Sequence, residues 1–74
     1  MSQGARRYEI RVVEPLAAGW SKWFEDLEIT SAAEGEEGGA VLRGSLPDQA
    51  ALFGVLGRLR NLNLTLIAVR RLPE

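Results

Sequence analysis

Three carboxylates, Glu34, Glu36 and Glu37, stand in one run with Gly35, Gly38 and Gly39 and form the densest set of reactive side chains in the sequence. Such oxygens could hold a hard cation, but Ca²⁺ loops fix theirs with a defined spacing of Asp and Asn that this Glu-only run lacks. The run reads instead as a flexible, solvated hairpin tip. A second acidic pair, Glu25 and Asp26, falls on the polar side of a helical segment. General acid–base catalysis needs a carboxylate desolvated in a pocket, and neither segment suggests one. Glu9 and Arg11 could work as an ionised pair only inside a cleft. The chain has no Cys and no His, which removes disulfides, thiol and Ser-His nucleophiles, imidazole chemistry and the usual transition-metal ligands. The expectation is a non-enzyme with no catalytic residue, no metal site and no cofactor.

The elements that position these side chains must fit in 74 residues, which is one small domain. Folding at this size hides only about 60 % of the unfolded chain's surface, so self-association is the expected source of extra stability. Nine basic residues against ten acidic ones give a net charge of −1, and a pI near 5.4 opposes attraction to nucleic acid or anionic membranes. No stretch approaches the roughly 18 apolar residues of a membrane span, and Met1 to Arg7 lacks the apolar middle of a signal peptide. A cytoplasmic protein with no nucleic-acid or membrane partner is expected. Residues 1–7 read as a disordered or extended start, 8–72 as the domain and 73–74 as its end.

Tyr8 to Glu14 alternates apolar with polar residues, predicting a strand with Tyr8, Ile10 and Val12 inward. Pro15 suits a first helical turn, and Leu16, Trp20, Trp23, Phe24 and Leu27 then recur at helical spacing. Leu27 to Ala32 returns to period two, and Ala40 to Leu46 is a third strand. Asp48 is placed to cap a second helix carrying Leu52, Val55, Leu56 and Leu59 inward and ending near Asn61. Leu64 to Leu72 is the last strand, with Leu64, Leu66 and Ala68 inward. The order predicts an α+β ferredoxin-like βαββαβ fold, a four-stranded antiparallel sheet with both helices on one face. The rival is a pair of strand–helix hairpins that need a second chain to complete the sheet.

Three surfaces could bind something. Trp20, Trp23 and Phe24 put three of the five aromatic residues in one short window. Core packing explains them, and so does a groove that takes a flat apolar ligand, because two indoles are hard to bury in so small a domain. The outward side of the second helix carries Ala50, Gly54 and Gly57, flanked by Phe53 and Arg58. Interior helical glycines cost roughly 1 kcal/mol each, so either another molecule approaches this backbone or the glycines relieve crowding within the monomer. On the uncovered sheet face Val13, Val41, Ile67 and Val69 are expected to form a patch. Arg11, Arg43 and Arg71 gather on one side of it, a pattern suited to two-fold self-pairing.

The stretch from Gly44 to Leu62 reads G-x-L-x-D-Q-A-A-L-x-G-x-L-x-R-L-R-x-L. With the Trp/Trp-Phe segment before it, the chain resembles a group of short bacterial proteins over most of residues 8 to 71. That resemblance implies no activity; its members often carry His where this chain has Phe53. The length, strand order and Glu14-Pro15 junction are also similar to ACT-type regulatory domains, in which amino acids bind at dimer interfaces, although Leu16 stands where those domains have glycine. Heavy-metal-binding domains and acylphosphatases need a CxxC pair or an Arg in the first strand–helix loop, and neither is present. RNA-recognition motifs need aromatics on central strands, which Ala40 to Leu46 lacks. The expected function is a non-catalytic interaction module, working as a homodimer or on a protein partner; the alternative is an ACT-like sensor of an apolar or amino-acid-like small molecule.

Overall fold

The computed structural model describes residues 5–73. Residues 1–4 of the expected disordered or extended start, and Glu74 at the chain end, lie outside the described residues. The chain is α+β. It runs through β1 (Arg6–Val12), a 3₁₀ helix (Ala18–Phe24), β2 (Glu28–Ser31), β3 (Ala40–Leu46), α1 (Gln49–Asn61) and β4 (Leu66–Arg71). The strands form one antiparallel sheet in the order β2-β3-β1-β4, so β1 lies between β3 and β4.

Alternation dictates the core. Tyr8, Ile10 and Val12 of β1, and Ala40, Leu42 and Leu46 of β3, point to the face where Phe24, Leu52, Val55 and Leu59 pack. Helix α1 begins where Asp48 accepts the Ala51 N–H at 2.8 Å, satisfying one of the donors a helix start leaves free. It ends as Asn63 turns left-handed at φ 61°, a conformation Asn tolerates, and Leu64 N–H closes back on the Leu59 carbonyl.

The first helix departs from the expected amphipathic α-helix. Pro15 to Ala17 lie outside it, no side chain caps its start, and it ends in two left-handed residues, Glu25 and Asp26. The Ser21 hydroxyl donates to the Leu27 carbonyl at 2.6 Å, closing the turn. A three-residue repeat stacks i on i+3. Ser21 and Phe24 therefore share the inward column, while Trp20 and Trp23 share another. In an α-helix all three aromatics would have faced the sheet together.

Strand β4 also differs from expectation. Between Arg11 and Val12 the β1–β4 register shifts by a bulge, leaving Val69 opposite Ile10 and Arg70 opposite Glu9. Opposite residues share a face, and a one-residue slip exchanges the faces. Val69 accordingly packs against the core, and Ala68 and Arg70 take the open side.

The Gly/Glu loop is docked rather than free. Gly39 N–H donates to the Val12 carbonyl at 2.9 Å. A Cβ at Gly39 would lie 2.7 Å from backbone atoms of Val13, Glu14 and Pro15. Glycine permits that close approach.

Candidate functional site

On the helical side, Phe24 is fully buried, which removes it from the expected ligand-binding set. Trp20 is 43 % exposed and Trp23 52 %. The guanidinium of Arg58 reaches across from α1, donating to the Trp23 carbonyl at 2.7 Å and lying 5.5 Å from the centroid of its ring. Glu25 faces Arg58 at 3.7 Å. Arg58 thus couples the two helices.

Ala50, Gly54 and Gly57 line the outer side of α1, and all are exposed. Projected at 100° per residue, Arg58 and Phe53 flank this stripe on opposite sides. Phe53 is 64 % exposed. A Cβ built on Gly54 or Gly57 meets nothing within 4 Å, so these glycines relieve no crowding inside the chain. A continuous band runs from the indoles through Arg58 and two bare backbone positions to Phe53.

The open sheet face is not the expected valine patch. Val41 is 2 % exposed; it sits opposite Arg11 and Thr30, on the half of the face that the docked loop reaches. Ile67 is half-buried, with its Cδ1 beside Gly38 of that loop. Val69 is on the core side, and Val13 alone of the four stays largely exposed.

What organises this face is Glu9, a residue that sequence reasoning treated as one of several outward side chains. Only 4 % exposed, it is covered by arginines from three strands. Arg43 contacts its Oε2 through Nε at 2.8 Å and Nη2 at 2.7 Å. Arg70 donates to Oε1 at 3.2 Å, and Arg11 lies 3.6 Å from Oε1. Burial alone would raise the Glu9 carboxyl's pKa, but the Arg43 hydrogen bond and the charges of Arg11, Arg43 and Arg70 outweigh it and hold the group below its ordinary value. The expected gathering of Arg11 and Arg43 with Arg71 is instead one with Arg70, because of the β4 slip. Glu36 then takes the other edge of Arg11 in a fork-on-fork pair at 3.2 and 3.3 Å. The signal available in the sequence was an acid in mid-strand with arginines at reachable cross-strand positions.

A family model described as a domain of unknown function (DUF8691) matches residues 7–70. The chain belongs to the DUF8691 family. No curated protein and no solved structure matches it. The matched span takes in nearly all of the sheet and both helices, so the aromatic band and the Glu9 cluster of this chain both fall within the DUF8691 domain.

Proposed function

We propose that this DUF8691 domain is a non-catalytic protein-interaction module that pairs with a second copy, or docks on a protein partner, through the outer side of α1 and the adjoining 3₁₀ helix. The observation that carries the reading is the open space over Gly54 and Gly57 beside an exposed Phe53. Two helical glycines weaken the helix and return nothing within the monomer; a neighbour's backbone or side chain packed against them would recover that loss. Aromatic anchors beside a bare backbone are what tight interfaces use. The open sheet face competes poorly, since Val13 is the one member of its expected apolar patch left largely exposed and Glu9 is already paired.

Sedimentation velocity at micromolar to submillimolar concentration tests this. A dimer that Gly54→Glu dissociates, with native circular dichroism, supports the reading. A monomer throughout, with no protein complex involving this band, removes it.

The same proposal takes the strand order, with β1 beside both β3 and β4, as the ferredoxin-like arrangement, and the cytoplasm as the place of action. Among the described residues no helix is long and apolar enough to cross a membrane. A second reading, an ACT-like sensor of an apolar or amino-acid-like molecule, draws on the exposed column of Trp20 and Trp23 under Arg58. Its test is indole emission during titration with amino acids and apolar metabolites; unchanged emission and melting temperature dismiss it, since a ligand of the native state must stabilise it.

A further inference from the structure

The open sheet face divides into two halves. Around Arg11 and Val41 the docked loop supplies its own carboxylate, Glu36. Around Glu9, Arg43 and Arg70 it supplies none, although Glu36 stands near enough to feel the charge of Arg43.

Register defines this second half. Glu9 faces Arg43 on one side and Arg70 on the other, and Arg7 faces Ser45. Arg7 and Glu9 are two residues apart on β1 and so share a face. At strand spacing, the Cα atoms of Arg43 and Arg70 stand about 10 Å apart across β1, with Arg7 about 7 Å along it. Three long guanidinium side chains and the exposed Ser45 hydroxyl thus border one area, which has no aromatic residue.

Glu9 engages only part of this donor set. It takes Nε and Nη2 of Arg43 and Nε of Arg70. Among the described residues Nη1 of Arg43 and both Nη atoms of Arg70 meet no acceptor, and Arg7 has no ion pair. Three guanidiniums against two carboxylates, Glu9 and the exposed Glu28 that stands opposite Arg43 on β2, leave one positive charge in this half. Glu9 is buried beneath them and fixes where two of the guanidiniums sit.

We propose that Arg7, Arg43 and Arg70 bind the phosphate group of a small ligand, with Glu9 as the positioning residue and Ser45 as an added donor. A phosphate monoester brings three acceptor oxygens on one tetrahedral centre, matching donors that converge from three guanidiniums, whereas a carboxylate offers only two oxygens in one plane. The site lies on the side of the sheet opposite the helices and is independent of the helix-face reading.

The test is calorimetric titration of the full chain with inorganic phosphate and pyrophosphate at low salt, alongside Arg Nε–H resonances. Saturable binding is expected, shifting the Arg43 and Arg70 signals and weakening about tenfold or more in Arg7→Gln and Arg70→Gln. Arg7→Gln should keep the ligand-free melting temperature, since Arg7 is exposed and pairs with no acid among the described residues, whereas Arg70→Gln should lower it slightly by removing one partner of Glu9. Phe53→Ala should leave phosphate affinity unchanged even where it abolishes association. Absence of saturation up to about 10 mM, equal affinity in both variants, or succinate binding as tightly as phosphate would each overturn the proposal.

Discussion

Glu14 and Thr65 lie 51 residues apart in sequence and meet twice. The carboxylate accepts the Thr65 N–H and its hydroxyl at 2.7 Å each, while Val13 N–H donates to the Thr65 carbonyl. The junction after β1 is thereby latched to the entry of β4, beside the bulge that sets which β4 residues face the core. Glu14→Ala and Thr65→Val should each lower the melting temperature, and the double variant should cost less than their sum. Such a shortfall in a double-mutant cycle marks the pair as coupled; simple additivity would mean the latch contributes nothing.

Acid should weaken the fold through three carboxyls. Glu9 is held below its ordinary 4.5 although burial opposes this, because Arg43 and its neighbours prevail. Glu14 is lowered by the Thr65 N–H and hydroxyl, and Glu36 by the Ala33 N–H and Arg11. Each group binds its proton less readily folded than unfolded. The stability they confer is therefore complete above about pH 4.5 and is lost as the pH falls through their lower folded values. Thermal melts between pH 2 and 6 should show this decline, and Glu9→Gln should flatten it.

Phe24 and its neighbouring indoles should separate by cost. Phe24→Ala empties a fully buried site and should destabilise by about 3–5 kcal/mol, a large part of what so small a domain possesses. Trp20→Ala, at a half-exposed position, should cost far less. Urea melts of the two variants measure the contrast; similar losses would mean that the indoles and Phe24 share one inward face after all.

Alanine at Gly54 or Gly57 should act oppositely on two readouts. Each new methyl enters open space, so monomer stability should rise by about 1 kcal/mol per site. Association through the stripe should weaken at the same time. Denaturation of the dilute protein and sedimentation of the concentrated one report the two effects separately.

Sequence patterning was informative where one periodicity was unambiguous. Ile10 and Val12, Leu42 and Leu46, and Leu52, Val55 and Leu59 reached the core as their spacing required, and Asp48 caps α1 as its position before the helix implied. Trp20, Trp23 and Phe24 were ambiguous because the gap of three suits both helix types, while the gap of four from Trp20 to Phe24 keeps both on one face only in an α-helix. Leu64 to Val69 is almost entirely apolar, so nothing local told one face from the other, and a bulge decided it. The loop glycines resembled freedom, yet Gly39 is there because backbone passes within contact distance. Glu9 resembled any outward acid until arginines on three strands closed over it.

The pairing of β1 with both β3 and β4 carries a consequence for how the protein is made. The strand that leaves the ribosome first occupies an inner position in the sheet, and one of its neighbours is synthesised last. Its Glu9 cannot meet Arg70, nor Glu14 meet Thr65, until almost the whole domain has emerged. Assembly thus waits on the emergence of β4, and until then the nascent polypeptide carries an unmatched margin on β1.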